Sequence, residues 1–196
     1  MLTTLISNKR LLRIVLSDSD FFASNFYFES WIQQRFFISR AIHKDGTILD
    51  IGCANGLLLA CLMRWCNYEI VPFGIDNNEK RIKAAKLFLK LYTNNFICLK
   101  WQMLDRLTDY GLPKTFDFVY WSFGSEHKFN SAKEIQQLKM IYNKVARKGR
   151  LIVGFYTSTK GEIARKIARF DKLEIDKCVR LDNPLSSQSL IWIEKG

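Results

Sequence analysis

The sequence lacks the cysteine patterns that mark a disulfide framework or a structural zinc site. Its five cysteines form no Cys-x-x-Cys pair, and no histidine lies near them at a metal-ligand spacing. We predict that Cys53, Cys61 and Cys98, which lie in apolar segments, pack in the core. An odd number of cysteines without a framework is typical of a reducing compartment, so we expect a cytoplasmic protein without a bound metal.

Long apolar stretches are also missing. No run of about 20 apolar residues occurs, so we expect neither a transmembrane helix nor a membrane partner. The N-terminal segment is interrupted by Asn8, Lys9, Arg10 and Arg13 and lacks the apolar stretch of a secretory signal peptide. The 196 residues are 48% hydrophobic and 14% aromatic, which suits one globular domain with a full core.

Acidic residues are few relative to basic ones. The chain has 30 lysines and arginines against 19 aspartates and glutamates, and its net charge is +11. Such a balance suits nucleic acid, an acidic small substrate, an anionic surface or only a solvated exterior. The basic residues fall in three groups on predicted helices beside the sheet, which favours the solvated exterior: Lys83, Lys86 and Lys90; Lys139, Lys144, Arg147, Lys148 and Arg150; Lys160, Arg165, Lys166 and Arg169.

Short apolar segments alternate with amphipathic ones, which predicts an α/β fold with a parallel sheet. The first 45 residues are rich in aromatics and helical in character, so we expect a helical cap (1–45) on a core (46–196) within one domain. The last two strands are joined by a turn-rich segment without a helix, which predicts a hairpin and an antiparallel final strand. The predicted strands are Thr47–Ile51, Ile70–Ile75, Phe96–Leu99, Phe116–Tyr120, Leu151–Phe155, Leu173–Arg180 and Leu190–Glu194.

Two helices can be delimited in more detail. Apolar residues recur on one face throughout Glu79–Tyr92, which predicts a helix over this range with Tyr92 on its apolar face. Ser131 and Glu134 match a capping box at the start of a later helix. That helix is predicted to end at Lys148–Gly149, where glycine suits a left-handed cap.

The turn after the first strand has the character of a ligand site. Gly52 and Gly56 in LDIGCANGLLL allow a ligand to approach the backbone closely. Leu57 stands where a dinucleotide-binding turn carries its third glycine, and an acid such as Asp50 does not suit a pyrophosphate. Asp50 instead favours a ligand with a cationic group. Asp76, at the end of the second strand, is placed to accept both hydroxyls of a ribose.

With these features the chain resembles class I S-adenosylmethionine-dependent methyltransferases, and more closely bacterial members of the LDIGCANG type. The segment 47–56 resembles that family's first motif, 73–76 the second, 116–123 the fourth and 145–153 the stretch before the fifth strand. The resemblance covers roughly residues 40–195. It implies a Rossmann-like fold with helices on both faces of a seven-stranded sheet in the order 3-2-1-4-5-7-6, and S-adenosylmethionine as cofactor with S-adenosylhomocysteine as product.

The resemblance also implies which residues hold the cofactor. Trp101 stands where the family usually carries an acid for the adenine amino group, and Gln102 is the candidate replacement. Arg35, on a helix predicted to lie over the cofactor, is a candidate for its carboxylate or for a surface ion pair. The full predicted set is Asp50, Gly52, Cys53, Ala54, Gly56, Asp76, Asn77, Trp101, Gln102, Ser122 and Arg35.

The methyl acceptor is the least defined part of the prediction. His127 and Glu126 follow the fourth strand and are candidate proton acceptors, unless they only cap a turn or face solvent. The fourth motif lacks the Asn/Asp-Pro-Pro-Tyr/Phe pattern of base and amide N-methyltransferases. We expect a small-molecule acceptor with an oxygen or nitrogen nucleophile, bound between Phe21–Arg35 and Trp121–His127. An RNA methyltransferase and a non-catalytic nucleoside-binding partner subunit are the alternatives, and the oligomeric state is left open.

Overall fold

The computed structural model describes residues 25–123, 127–155, 160–170, 178–184 and 188–196. Strands and helices alternate from the first strand onward. The strands are β1 (Gly46–Ile51), β2 (Ile70–Asp76), β3 (Phe96–Cys98), β4 (Phe116–Phe123), β5 (Val145–Phe155), β6 (Cys178–Asp182) and β7 (Ser189–Glu194). The α-helices are α1 (Asn25–Arg35), α2 (Leu57–Trp65), α3 (Glu79–Phe88), α4 (Ala132–Tyr142) and α5 (Lys160–Phe170), and two 3-10 helices cover Phe36–Ala41 and Trp101–Tyr110.

All seven strands belong to one sheet, in the order β3-β2-β1-β4-β5-β7-β6. The first five strands pair in parallel. β7 runs antiparallel to both β5 and β6. The predicted α/β fold, its strand order and its antiparallel final strand are therefore confirmed.

Successive side chains of β1 lie in two different buried clusters, which shows that both faces of the sheet are covered. Leu49 and Ile51 belong to one buried cluster with Val119 of β4, whereas Ile48 belongs to a second cluster with Phe118. Successive side chains of a strand point to opposite faces, so the two clusters lie on opposite sides of the sheet. A central parallel strand is typically apolar on both faces, and in β1 the acid Asp50 interrupts the buried stretch from Ile48 to Ile51.

The 3-10 helix after α1 is part of the core. Its buried residues Phe37, Ile38 and Ala41 pack in the cluster that contains Ile48. The end of α1 is tied to the turn between β6 and β7, because the Asn183 Nδ2 donates to the carbonyl oxygens of Gln33 and Gln34 at 2.9 and 3.3 Å. That turn lies at the same edge of the sheet as the carboxyl ends of the parallel strands.

Two predicted helix ends are wrong. α3 ends at Phe88, and the Tyr92 side chain is 61% exposed. α4 begins with the predicted capping box at Ser131 but ends at Tyr142, and Lys148–Gly149 lies within β5. The left-handed residue there is Lys148, with φ 57°. Gly149 serves close approach instead, since a Cβ on it would lie 2.4 Å from the Asp117 carbonyl oxygen.

The cysteines follow the core prediction in part. Cys53 and Cys61 are buried, but Cys98 is exposed at the end of the short strand β3, so the prediction for Cys98 is wrong. The segment predicted as a helix between β3 and β4 is a 3-10 helix. Within the described ranges, no helix is both long enough and apolar enough to cross a membrane.

Candidate functional site

The turn after β1 contains three residues in the left-handed region. Gly52, Ala54 and Gly56 have φ values of 82°, 48° and 78°. A Cβ on Gly56 would lie 3.2 to 3.4 Å from Leu89, Ala85 and Phe96, so this glycine allows close packing. A Cβ on Gly52 would meet no atom within 4 Å, so Gly52 borders open space. Gly52 is therefore the glycine at which a ligand can approach the backbone.

Asp76 ends β2 and is oriented by the backbone around it. Its Oδ2 accepts the N–H of Ala54 at 3.0 Å and its Oδ1 accepts the N–H of Asn78 at 2.8 Å. The side chain is buried, with 7% of its surface exposed. Each carboxylate oxygen can accept a second hydrogen bond, so the group can still bind two ligand hydroxyls.

Asp50 is a buried acid near the end of β1. It is 3% exposed, and burial together with the charge of Asp76 raises the pKa of its carboxyl to about 7. The described residues supply no hydrogen bond to this carboxylate. A buried carboxylate is strongly stabilised by a nearby positive charge, so the position suits a cationic ligand group.

Two neighbours of this turn have mainly structural roles. The Cys53 side chain packs against Gly74, where a Cβ would come within 2.6 Å of its sulfur, and burial raises the pKa of its thiol well above the usual range. The Cys53 side chain is therefore a packing group, and its backbone N–H donates to the Ile75 carbonyl oxygen while its carbonyl oxygen accepts the Gly56 N–H, both at 2.9 Å. Asn55, which sequence reasoning missed, is buried, and its Oδ1 accepts the N–H of Leu57 at 3.2 Å at the start of α2. The N-cap of α2 is Gly56, and Asn55 before it forms an Asx turn, for which an Asn beside a glycine is a sequence signal.

Beyond β3 and β4 the aromatic side chains form a row. The ring of Trp101, at the start of the second 3-10 helix, lies 5.5 Å from the ring of Trp121 on β4. Trp121 is also 5.5 Å from His127, which stacks on Phe129 at 6.2 Å. We call Trp101, Trp121, His127 and Phe129 the aromatic row. It runs along the carboxyl edge of the sheet and brings His127 close to the end of β4.

The segment after β4 is held in a strained conformation. Phe129 is 3% exposed and has φ 51°, which a bulky residue rarely adopts. The Glu134 carboxylate accepts the N–H groups of Lys128 and Asn130 at 3.0 and 3.1 Å, so it fixes the backbone on both sides of Phe129. Such strain persists where packing and hydrogen bonds hold it, and it is frequent at functional sites.

A cavity of about 260 Å³ adjoins this segment, and we call it the basic cavity. The Arg169 guanidinium, on α5, donates a hydrogen bond to the Lys128 carbonyl oxygen and so joins the helix to the segment. Sequence reasoning missed the cavity, although the spacing i, i+3, i+4, i+7 along α5 indicates one helix face. The lining residues are Lys128, Glu162, Arg165, Lys166 and Arg169.

The other predicted site residues are spread along the same edge of the sheet. Asn77 and Gln102 have exposed side chains after β2 and β3, and Ser122 is half-buried near the end of β4. The Arg35 guanidinium lies over the Trp31 ring, 4.8 Å from its centre. Glu126 lies outside the described residues.

Comparison with known proteins gives the fold. Neither a family model nor a curated protein matches the chain. Solved methyltransferase structures do match. Magnesium protoporphyrin IX methyltransferase from Synechocystis PCC 6803, with bound SAM, is 13% identical at a TM-score of 0.60, covering 99% of this chain and 94% of that one.

Two further structures show the same likeness. N-methyltransferase NodS from Bradyrhizobium japonicum WM9 has a TM-score of 0.58 and 14% identity, covering 88% of this chain and 98% of that one. An rRNA methylase from Streptococcus thermophilus has a TM-score of 0.57 and 14% identity, covering 85% and 96%. The chain therefore has the Rossmann-like fold that these methyltransferases share.

Proposed function

We propose that the protein transfers a methyl group from S-adenosylmethionine to a small-molecule acceptor. The observation that carries the proposal is the buried Asp50 carboxyl, with its pKa raised to about 7, two residues before the open turn at Gly52. S-adenosylmethionine has an ammonium group beside a sulfonium, and such a cation stabilises the ionised form of Asp50. A pyrophosphate would add negative charge at the same place, so a dinucleotide does not suit the site.

Asp76 fits the other end of the same ligand. Its two oxygens are held in place by the backbone of Ala54 and Asn78, and each keeps one acceptor position for a ribose hydroxyl. A carboxylate that is already oriented loses little freedom when the ligand binds. The two acids therefore select a nucleoside that also carries a positive charge.

The remaining cofactor contacts are part of the proposal. The backbone of the glycine turn approaches the methionine end, and the segment at Trp101 and Gln102 borders the adenine ring. Arg35 pairs with the methionine carboxylate. The further proposed contacts are Cys53, Ala54, Gly56, Asn77 and Ser122.

When bound, S-adenosylmethionine supplies a methyl group on a positively charged sulfur. This chain orients the acceptor and keeps water away, and positioning of this kind contributes up to about 7–11 kcal/mol in favourable intramolecular reactions. The acceptor lies between α1 and the aromatic row. His127, whose ring lies between Trp121 and Phe129, takes up the acceptor's proton, with Glu126 as the second candidate.

RNA is the alternative acceptor. One similar structure is named for magnesium protoporphyrin IX and another for rRNA, so the similar folds include both acceptor classes. The net charge of +11 also suits RNA. In one basic group, however, Lys83 already pairs with Glu79 at 2.8 Å. We favour the small molecule because the two partly exposed rings of the aromatic row, Trp101 and His127, offer an apolar surface with one titratable group, as small-molecule sites commonly have.

The proposal is tested with methyl-tritiated S-adenosylmethionine. The protein is incubated separately with the small-molecule, RNA and protein fractions of a cell extract, and tritium is counted in each after separation. We expect label in the small-molecule fraction only, and at a cofactor concentration below the wild-type dissociation constant we expect at least about tenfold less label with the Asp76→Asn variant, in line with about 1.4 kcal/mol or more of lost binding. Label in RNA would assign the protein to the alternative class. Cofactor binding without label in any fraction would indicate a non-catalytic partner subunit.

A further inference from the structure

We infer that the basic cavity binds a phosphate or carboxylate group of the methyl acceptor. The inference rests on the proposed function, since it names the chemistry of the acceptor at the same site. It defines the acceptor as an anion.

The charged side chains that line the cavity favour an anionic ligand. Among the described residues, four cationic side chains and one acid, Glu162, line it, which gives this part of the lining a formal excess of three positive charges. Two of the cations are arginines, whose planar donor groups bind phosphate and carboxylate with two parallel hydrogen bonds. Lys166 is 4% exposed, so this charge lies inside the protein and not on a solvated face. An anion in the cavity is therefore favoured by charge and by geometry.

The position of the cavity next to the aromatic row connects the anion site to the methyl acceptor. Lys128 stands between His127 and Phe129, two members of the aromatic row. Arg169 donates to the Lys128 carbonyl oxygen, and the Phe129 ring packs 5.1 Å from the Phe170 ring at the end of α5. The cavity is thus one residue from the candidate proton acceptor. A molecule whose anionic group lies in the cavity can therefore extend toward His127.

The rigidity of the segment is a third observation. Glu134 holds the N–H groups of Lys128 and Asn130, and Phe129 is buried in its left-handed conformation. The backbone that carries Lys128 is therefore fixed before any ligand binds. Preorganised groups bind with a smaller loss of entropy.

The size of the cavity favours one charged group of a small molecule. Sites for whole drug-sized ligands have volumes of about 300–1,000 Å³, and the basic cavity has about 260 Å³. It accommodates a phosphate or a carboxylate while the remainder of the acceptor extends toward the partly exposed rings of His127 and Trp101. RNA binding would instead need several phosphate contacts spread over a surface.

The test uses the full chain and two anion probes, inorganic phosphate and malonate, followed by amide chemical shifts in NMR. We expect saturable binding of at least one probe, with shifts at Lys128, Phe129 and the amides of α5. Arg165→Gln should weaken that binding about tenfold or more, since charge-assisted hydrogen bonds are among the strongest that a protein makes to an anion. The matched control is Lys139→Gln, which removes one exposed charge from α4, outside the cavity. It should leave probe affinity unchanged.

The two proposals fail separately. S-adenosylmethionine affinity, measured by calorimetry, should be the same in the wild type, Arg165→Gln and Lys139→Gln. Absence of cofactor binding would refute the proposed function, while the binding of phosphate or malonate to the cavity could still be measured and interpreted. The inference is overturned if neither probe saturates, or if both variants weaken the probes equally. It is also overturned if an RNA oligonucleotide displaces the probe and its affinity falls steeply between low and physiological salt.

Discussion

The carboxylate of Asp76 holds the backbone of Ala54, because its Oδ2 accepts the Ala54 N–H at 3.0 Å. The bond joins the end of β2 to the turn that follows β1, across 22 positions of the chain. Ala54 has φ 48°, a conformation that costs an alanine about 1–2 kcal/mol. One side chain thus both stabilises the glycine turn and presents its remaining acceptor positions to a ligand.

We predict that Asp76→Asn weakens S-adenosylmethionine binding about 10- to 100-fold. The amide keeps the size of the carboxylate but loses the charge and one acceptor, and such bonds contribute about 1.5–3 kcal/mol. Isothermal titration calorimetry measures the change. Asp109→Asn is the control, because it removes a carboxylate from an exposed ion pair with Arg106 and should leave affinity unchanged. Equal affinity in both variants would contradict the role given to Asp76.

A second prediction compares Gly52→Ala with Gly111→Ala. Both glycines are left-handed, with φ 82° and 73°, and a Cβ on either would meet no atom within 4 Å. Each substitution should therefore lower the free energy of unfolding by a similar amount, about 1–2 kcal/mol. Only the Cβ on Gly52 enters the proposed cofactor space.

Denaturant unfolding and calorimetry separate these two effects. Gly52→Ala should bind S-adenosylmethionine at least about tenfold more weakly, whereas Gly111→Ala should bind it like the wild type. If both variants keep full affinity, the open space at Gly52 does not belong to the cofactor site. If both lose affinity equally, the loss comes from reduced stability.

The parts of the fold that were predictable depend on local pattern. The strand β1 and its turn could be identified because the apolar run, Asp50 and the two glycines lie within a few residues of one another. The capping box at Ser131 is equally local. The parallel sheet followed from the alternation of strands and helices, whereas the strand order came from the resemblance.

The parts that were not predictable depend on contacts between distant segments. Gly149 looked like a helix cap, but its lack of a side chain serves a contact with Asp117, which the sequence separates by 32 positions. In the sequence, the basic residues of α5 looked like a solvated face. The residue that completes the cavity with them, Lys128, lies 41 positions before Arg169, so the sequence pattern of α5 alone does not reveal the cavity. The pattern of a single sequence gives no information about contacts between residues so far apart in the chain.

A third prediction concerns the stability of the ligand-free protein. The pKa of Asp50 is raised from 3.8 to about 7 in the folded state, so proton binding by this carboxyl stabilises the folded state relative to the unfolded one. The stabilisation is complete below pH 3.8 and is lost as the pH rises to about 7. The loss corresponds to about 4 kcal/mol, since each pKa unit is worth 1.36 kcal/mol. Asp50→Asn should therefore unfold at a higher temperature than the wild type at pH 8, and the difference should shrink toward pH 5. A constant difference across this range would contradict the raised pKa.

The last prediction is that S-adenosylmethionine binding becomes weaker as the pH falls below about 7. In the ligand-free protein the Asp50 carboxyl is then mostly protonated, because burial and the charge of Asp76 raise its pKa to about 7. Pairing with the ligand ammonium requires the ionised form, so binding must release a proton and affinity should fall up to about tenfold per pH unit. Calorimetry at pH 6 in buffers with different ionisation enthalpies should therefore detect close to one proton released per ligand bound. Asp50→Asn should bind weakly without this pH dependence, and a flat wild-type profile between pH 5.5 and 7.5 would remove Asp50 from the cation site.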